Sequence, residues 1–249
     1  MDSHSFLSGI LPDDGWYGLL AIKGKYVKQK LYDSIDSAVY AAHDFDKNGY
    51  NTYFALSTFK DDSERTVDNV LHTKALFLDI DCGETKAKQK KGYATKGEAI
   101  KALQSFCRTT KIPTPTVVDS GRGLHIYWAL TAPVTYDEWF PVAECLKRLT
   151  VSEGLICDPA VTSDAARVLR VPKTNNYKDN PPLPVQVLGD EVRLHDFASL
   201  SALIGDTIPV PTIYKPTDKM RELMKADANL TGYDENYENS FKLIMNKTQ

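Results

Sequence analysis

The stretch Phe77-Leu78-Asp79-Ile80-Asp81 decides the fold, because an apolar run is interrupted there by two aspartates. In a β-strand successive side chains point to opposite faces, so Asp79 and Asp81 share one face and Leu78 and Ile80 share the other. The apolar face is expected to pack into a core. The opposite face presents two carboxylates about 6.5–7 Å apart along the backbone, which is two strand rises. Mg²⁺ and Mn²⁺ prefer oxygen ligands, so the segment predicts a divalent-metal site.

Two other interpretations of this segment exist. The aspartates could stand at a solvated strand end, although two carboxylates on a buried strand repel each other unless something neutralises them. Haloacid-dehalogenase phosphatases also begin on an Asp-x-Asp strand end. They expect Thr or Val two residues after the second aspartate, where this chain has Gly83. The metal site is therefore the favoured interpretation.

A second segment, Ser120-Gly121-Arg122-Gly123-Leu124-His125, predicts a tight turn that leads into a strand. On that strand His125 and Tyr127 share one face, and His125 is expected to point with the aspartates towards a common cleft. The imidazole could donate a hydrogen bond to a phosphate oxygen, and Arg122 could add a charge-assisted one. The alternative is a buried histidine that is satisfied by a backbone carbonyl.

The third segment begins at Asp158 and is basic, with no acidic residue from 165 to 178. A carboxylate followed by guanidinium and ammonium groups suits a triphosphate, although an ordinary solvated basic stretch is the alternative. Asp164 is expected to cap the following segment rather than to bind metal. The cations of this segment are Arg167, Arg170, Lys173 and Lys178.

The remaining chain alternates hairpins and helices, which predicts an α+β fold rather than a doubly wound sheet. Two Thr-x-x-Glu capping boxes, at Thr95 and Thr135, each predict the start of a helix. A further helix is predicted at 34–47 and a short one near Asp196. Strands are predicted at 51–58 and 74–81, and hairpins at 18–33, 115–130 and 183–194.

Composition fits a globular protein, with 42% hydrophobic and 25% charged residues. No apolar run approaches membrane-spanning length, so no membrane association is expected. The net charge is −3, and any surface for nucleic acid must therefore be local. The four cysteines include no Cys-x-x-Cys pair, which argues against a zinc ribbon or a disulfide scaffold and indicates a reducing cytoplasm.

Together the three segments resemble the motifs of the archaeo-eukaryotic primase superfamily, in its phage and plasmid primase-polymerases. That family carries a hydrophobic-Asp-x-Asp motif, a Ser-x-His or Gly-rich motif and a hydrophobic-Asp motif, which match 78–81, 121–125 and 156–158 here. The stretch Arg-Val-Leu-Arg-Val-Pro-x-Thr-Asn is similar to mobile-element members, whose usual form has Gly where Lys173 stands. Ser120 precedes the turn rather than lying two residues before His125. The resemblance covers about residues 10–205.

The resemblance implies a catalytic core in which an N-terminal α/β module packs on a module like an RNA recognition motif, with the active-site cleft between them. It implies template-directed nucleotidyl transfer, as a DNA primase or DNA polymerase in the replication of a phage or mobile element. Two Mg²⁺ or Mn²⁺ ions would be held by Asp79, Asp81 and Asp158. The incoming triphosphate would be bound by Arg122, His125, Arg167, Arg170, Lys173 and Lys178.

The implied partners are a single-stranded DNA template, a primer, nucleoside triphosphates and a helicase domain or subunit. The catalytic domain is predicted to span residues 1–208. Prolines punctuate residues 209–249, which are predicted to be a linker and the start of a truncated helical region, with helices near 218–227 and 239–246. Six lysines between residues 84 and 101 could follow a template backbone, although a solvated flexible loop is an equal alternative.

Two rival functions remain open. A rolling-circle initiator endonuclease needs a His-hydrophobic-His metal pair and a nucleophilic tyrosine, but position 127, the partner of His125 in such a pair, is Tyr. A non-catalytic module for single-stranded nucleic acid would not need three acids in one cleft, because without metal they repel phosphate.

Overall fold

The structure is a computed structural model, and it describes residues 1–206. The linker and helices predicted over 209–249 lie outside the described residues. The helices are α1 (Ser3–Ile10), α2 (Ile35–Lys47), α3 (Glu84–Lys88), α4 (Lys96–Thr110), α5 (Tyr136–Ser152), α6 (Pro159–Thr162) and α7 (Phe197–Asp206). The strands are β1 (Trp16–Lys23), β2 (Tyr26–Tyr32), β3 (Asn51–Phe59), β4 (Val70–Asp81), β5 (Thr116–Asp119), β6 (Gly123–Val134), β7 (Val168–Arg170), β8 (Asn175–Asn176), β9 (Leu183–Pro184), β10 (Gln186–Leu188) and β11 (Leu194–His195).

One nine-stranded sheet organises residues 1–206. Its main path runs β10-β5-β6-β4-β3-β1-β2, while β11 adds to β6 and β7 adds to β3. The pairs along the main path are antiparallel, and β11 runs parallel to β6. Strands β8 and β9 form a separate small ladder. The α+β fold predicted from the sequence is confirmed.

The long helices begin where the sequence supplies a capping side chain. Ser34, Thr95 and Thr135 each accept a hydrogen bond from the backbone N–H three residues further on. At Thr135 the capping box is complete, because the Glu138 carboxylate accepts the Thr135 N–H at 2.9 Å. These bonds satisfy N–H groups that have no partner within the helix, so the three helix starts are fixed by local chemistry.

Strands β4 and β6 form the centre of the core. Leu76, Leu78 and Ile80 on one face of β4 are fully buried. On the other face Phe77 lies opposite Tyr127, and both are also fully buried, because α5 packs against Phe77 and α1 packs against Tyr127. Asp79 is the next residue of β4 on this face, and its side chain is 26% exposed. The cleft therefore opens on this face one pair beyond Phe77 and Tyr127.

The sheet forks beside this point. Strand β3 pairs with β4 at Ser57 and Phe59, but its other half, Tyr53 to Ala55, pairs with β7. The segment between α5 and β7 enters the gap, where the Asp158 N–H donates to the Asp79 carbonyl at 2.8 Å. The end of β4 is thus paired with β6 on one side and with the Asp158 segment on the other.

Most predicted elements are confirmed within a few residues. The first hairpin turns at Gly24, α2 ends just before Gly49 (φ 77°), and α7 begins after Asp196, whose carboxylate caps it. Strands β3 and β4 cover their predicted ranges, and β5 and β6 form the hairpin around the Ser-Gly-Arg-Gly turn.

The hairpin predicted at 183–194 is wrong. Strand β9 pairs with β8, β10 pairs with β5, and β11 pairs with β6. Between β9 and β10 the Val185 N–H donates to the Thr174 carbonyl at 2.8 Å, and the Lys173 N–H donates back to the Val185 carbonyl at 2.7 Å. Open edges elsewhere in the sheet therefore bind these short strands, and no local signal in the sequence predicts such distant partners.

No helix within residues 1–206 is both long enough and apolar enough to cross a membrane. The four cysteines, Cys82, Cys107, Cys145 and Cys157, are all free thiols.

Candidate active site

The fork of the sheet is a cleft of about 840 Å³. We call two segments that border it the strand flank, which is residues 77–81 of β4 with 123–127 of β6, and the loop flank, which is residues 158–178. Six cationic and four acidic side chains line the cleft, so its wall is net positive although the chain is net negative. The charged lining residues are Arg65, Lys86, Arg122, Arg167, Arg170, Lys178, Asp79, Asp81, Glu84 and Asp164.

The strand flank places Asp79 opposite His125 in the β4–β6 register. The His125 Nε2 lies 3.9 Å from Asp79 Oδ1, and the histidine is 4% exposed. Burial and the nearby Arg170 lower the pKa of His125 to about 3, so the imidazole is neutral. Its Nδ1 is buried with no hydrogen-bond partner among the described residues, so the alternative of a histidine satisfied at that atom by a backbone carbonyl does not hold.

Close packing fixes the register of this pair. A Cβ on Gly123 would lie 2.3 Å from the Ile80 carbonyl oxygen, so position 123 admits no side chain. Gly121 has a φ of 89°, in the left-handed region that glycine adopts without strain. The glycines of the turn therefore allow β6 to approach β4 closely enough to bring His125 beside Asp79.

Asp79 and Asp81 form the acidic end of the strand flank. Burial, together with the carboxylates of Asp81 and Asp158, raises the pKa of Asp79 to about 7. The Asp81 carboxylate lies 2.5 Å from the Lys86 ammonium, which reaches it from α3. The strand flank therefore concentrates negative charge that attracts a cation, and one side-chain cation is already in contact with it.

Asp158 lies next to Asp79 through the backbone, but its carboxylate has other partners. One oxygen accepts the Ala160 N–H at 2.9 Å and caps α6, and the other lies 3.8 Å from the Arg167 guanidinium. Asp164, predicted to be a cap, accepts the Ala166 N–H at 3.0 Å in a turn ahead of β7. The Asp158 side chain is not part of the cleft wall described above.

The acidic side chains suit a hard divalent cation by their chemistry. Their donor atoms are carboxylate oxygens, and their mutual repulsion is visible in the raised pKa of Asp79. Within residues 1–206, no three Asp, Glu, His or Cys side chains are gathered closely enough to hold an ion together. Asp81 turns to Lys86 and Asp158 turns to α6 and Arg167, and both carboxylates would have to leave these partners to share an ion.

Arg170 is the most firmly held cation of the loop flank. It is 4% exposed, it donates to the Asn51 side-chain oxygen at 2.8 Å, and its guanidinium lies 4.8 Å from the centre of the Tyr53 ring. The Asn51 oxygen also accepts the Tyr177 N–H at 2.9 Å. Asn51 and Tyr53, both on β3, were not predicted as site residues, because their only signal in the sequence is membership of a strand.

The other predicted cations are more exposed or lie elsewhere. Arg167 and Lys178 line the cleft, and burial beside Arg170 and Arg122 lowers the pKa of Lys178. Arg122 reaches to within 3.4 Å of Asp179. Lys173 does not line the cleft, and its backbone is left-handed (φ 64°), a conformation that glycine adopts without strain.

The lysine-rich stretch from 84 to 101 is folded into α3, a connection and the start of α4. Its centre is tied to both flanks by Tyr93, whose N–H donates to the Asp81 carbonyl and whose hydroxyl accepts the Ile156 N–H at 3.0 Å. Lys86 points to Asp81, and Lys96 forms an ion pair with Asp119 at 2.7 Å. Two of its six lysines therefore contact carboxylates, whereas Lys88, Lys90, Lys91 and Lys101 are exposed to solvent.

Known proteins resemble this chain at the levels of fold and sequence. The primase-polymerase domain of cyanophage S-2L superimposes with a TM-score of 0.52 at 17% identity, over 78% of this chain and 90% of that one. The primase RepB′ superimposes with a TM-score of 0.50 at 11% identity, over 92% of this chain and 67% of that one. These superpositions show a shared fold.

In sequence, a replication protein of Clostridium perfringens is 28% identical over 160 residues. The match covers 63% of this chain but 36% of that protein, so the chain spans about a third of its relative's length. No protein-family model matches the chain.

Proposed function

From the fold, which is that of archaeo-eukaryotic primase-polymerase catalytic domains, we propose that this chain is a template-directed nucleotidyltransferase. It would act as a DNA primase, a DNA polymerase or both in the replication of a phage or other mobile element. Its substrates would be nucleoside triphosphates, with a single-stranded DNA template and a primer as its partners.

One observation carries this proposal. The half-buried carboxylate of Asp79 and the fixed guanidinium of Arg170 line the same cleft, on opposite flanks, and more cations surround them. A nucleoside triphosphate bound with divalent metal needs both kinds of group, because the metal requires oxygen ligands and the phosphates require donors. A site that bound only DNA backbone would gain nothing from a carboxylate under the phosphates.

Asp79, Asp81 and Asp158 would hold the metal ions. When bound, Mg²⁺ or Mn²⁺ supplies activation of the primer 3′-hydroxyl and charge stabilisation of the pyrophosphate leaving group. Burial and the carboxylates of Asp81 and Asp158 raise the pKa of Asp79, and a bound cation would offset the repulsion among the three. Lys86 must leave Asp81 for that carboxylate to bind metal, and it is then free to contact phosphate oxygens.

The cations of the cleft would bind the triphosphate. Arg170 is held by Asn51 and Tyr53, so little conformational entropy is lost when its remaining N–H groups meet a phosphate. Arg167 and Lys178 are less constrained and would close on the phosphates after binding. His125 is neutral, so it can donate one hydrogen bond from Nε2 without adding charge beside Asp79.

The endonuclease alternative has little support in the strand flank. Position 127, which would need a second metal-binding histidine, carries Tyr127, and this side chain is fully buried in the core. It packs against Phe6 with ring centroids 5.4 Å apart, so its hydroxyl cannot attack a DNA phosphate.

The test is incorporation of labelled nucleotides on single-stranded DNA with Mg²⁺ or Mn²⁺, with and without an annealed primer. Metal-dependent products that are absent with the Asp79→Asn variant are expected. Products without primer would establish a primase, and extension alone would establish a polymerase. Nucleotide binding without any product would contradict the proposal and favour a binding module, and strand nicking would favour the endonuclease.

A further inference from the structure

The β1–β2 hairpin concentrates positive charge in a chain that is net negative. From Trp16 to Tyr32 it contains four lysines and no acidic residue. No carboxylate within residues 1–206 forms an ion pair with these lysines, although the Lys23 ammonium donates to the Asn48 carbonyl at 2.8 Å. The four are Lys23, Lys25, Lys28 and Lys30.

Aromatic rings are interleaved with these lysines. The Lys28 ammonium lies 5.4 Å from the centre of the Phe45 ring and 5.3 Å from that of Tyr50, and the Lys23 ammonium lies 5.6 Å from Tyr50. Lys25 lies over Tyr26, which is 62% exposed, and Lys30 lies over Tyr32. We call this set, Lys23, Lys25, Tyr26, Lys28, Lys30, Tyr32, Phe45 and Tyr50, the lysine–aromatic surface.

This surface is concave at one point. Lys23, Lys28, Phe45 and Tyr50 line a pocket of about 360 Å³ together with Asn48 and Asp44. Asp44 is exposed and is the acidic member of the pocket wall. Two ammonium groups beside two half-buried rings offer both phosphate contacts and a place for a base to stack.

The same hairpin also belongs to the catalytic cleft. Leu20 and Ile22 of β1 line the cleft from one face of the hairpin, and Gln29 on that face accepts a hydrogen bond from Arg65 at 3.1 Å. Lys23 and Lys28 lie on the opposite face, because strand side chains alternate. A DNA strand that leaves the cleft over Ile22 would therefore reach the lysine–aromatic surface by passing around one edge of the sheet.

Lysines on an edge strand have a simpler explanation, because they prevent one sheet edge from pairing with another. That explanation accounts for the charges on β2. It does not account for the aromatic rings that α2 and the turn before β3 place between the lysines, nor for the concave pocket. A polyanion with stackable bases matches both features.

We propose that the lysine–aromatic surface binds the single-stranded DNA template outside the catalytic cleft. This inference rests on the proposed function, which supplies the template. The lysines would neutralise successive phosphates, and Tyr26 and Tyr50 would stack on bases without selecting a sequence.

The test is the anisotropy of a fluorescent thirty-nucleotide oligo(dT), measured across a salt series with EDTA and without nucleotides. The variant is Lys23→Glu/Lys28→Glu, and the matched control is Arg108→Glu/Lys111→Glu at the exposed end of α4, which makes the same change in charge. The hairpin variant should bind at least about 10-fold more weakly, and the slope of log K against log salt should fall by about 1.4, since each lost phosphate contact contributes about 0.7. The control should bind as the wild type does.

A third variant separates stacking from charge. Tyr26→Ala should weaken binding by about 5-fold or more with an unchanged salt slope, because stacking releases no counterions. Wild-type affinity and slope in the hairpin variant, or equal weakening in the control, would overturn the proposal. Because EDTA removes the metal, this measurement reports DNA binding without catalysis. A chain that polymerises could therefore still show no binding at this surface, and a chain that does not polymerise could still bind DNA there.

Discussion

The two flanks of the cleft hold the same kind of functional group by different means. In the strand flank, Asp79 and His125 face each other across a regular antiparallel ladder between two long strands. In the loop flank, Arg170 lies opposite Tyr53 on the three-residue strand β7, which pairs with β3, and Asp158 caps a four-residue helix and reaches β4 through one backbone hydrogen bond. The strand flank is therefore set by a long ladder, whereas the loop flank is set by a three-residue ladder and by individual contacts that can be exchanged.

This difference suggests a division of labour. The strand flank is held by the β4–β6 ladder and carries Asp79, whose carboxyl pKa is raised to about 7. The loop flank, with Arg167 and Asp158 partly exposed, can rearrange around a substrate. Substitutions on the two flanks should therefore affect different properties of the protein.

The largest effect is expected from Asp79→Asn on the strand flank. Incorporation should fall by at least about 100-fold, because the amide keeps the shape but weakens the hold on metal. The fold should gain stability: a raised carboxyl pKa means that the folded state loses stability as pH rises from about 4 to 7, and asparagine removes that loss.

Thermal unfolding in EDTA at pH 8 tests the predicted gain in stability. The Asp79→Asn variant should melt about 4 °C or more above the wild type, and the difference should shrink towards pH 4. A lower melting temperature at pH 8 would show that Asp79 has a structural role instead.

The next largest effect is expected from Arg170→Gln on the loop flank. Glutamine carries no charge and is too short to replace the guanidinium, so the KM for nucleotide should rise about 10- to 100-fold through the loss of charge-assisted bonds to phosphate. Steady-state kinetics compares this KM with that of the Arg167→Gln variant. The Arg167 side chain is 40% exposed, so its loss should raise the KM less. Equal KM values for the two variants would contradict the distinction between fixed and mobile cations.

A smaller effect, a gain of metal affinity, is expected from Lys86→Ala. The Lys86 ammonium competes with metal for Asp81, so its removal should tighten Mn²⁺ binding about 2- to 5-fold, the range of a partly exposed ion pair. Electron paramagnetic resonance of free Mn²⁺ measures this directly, with the exposed Lys88→Ala on the same helix as the control. Weaker Mn²⁺ binding would mean that Lys86 positions Asp81 for metal rather than competing with it.

The smallest effect is expected from Tyr93→Phe, which deletes a hydrogen bond between the connection before α4, bonded through its backbone to Asp81, and the segment ahead of Asp158. The loss of this bond to the Ile156 N–H should lower the melting temperature by about 2–4 °C. Mn²⁺ affinity should fall by about 2-fold or less if the two flanks move together only weakly. A loss comparable to that of Asp79→Asn would show that the flanks form one rigid unit.

The strand flank could be predicted from the sequence. Alternation places Asp79 and Asp81 on one face, and the glycine-rich turn places His125 on the neighbouring strand, because both signals are local. The close approach of β4 and β6 depends on Gly123, because a side chain at that position would have no space.

The loop flank could be predicted only in part. Its cations are visible in the sequence, but the partners that fix Arg170 lie 119 residues away on β3, and no local pattern indicates them. The sequence does not distinguish Lys86 from the other five lysines of its stretch, because its contact with Asp81 depends on the one-turn helix α3. The late hairpin was predicted wrongly for the same reason, since its strands complete distant edges of the sheet.

The most direct test of the central claim is incorporation of a single nucleotide on four primed templates that differ only at the first unpaired base. Each template is offered each labelled nucleotide with Mn²⁺, and Asp79→Asn serves as the inactive control. The account predicts metal-dependent addition of the complementary nucleotide to each primer and none by the control. Addition without regard to the template base, or no addition while nucleotide still binds, would contradict it.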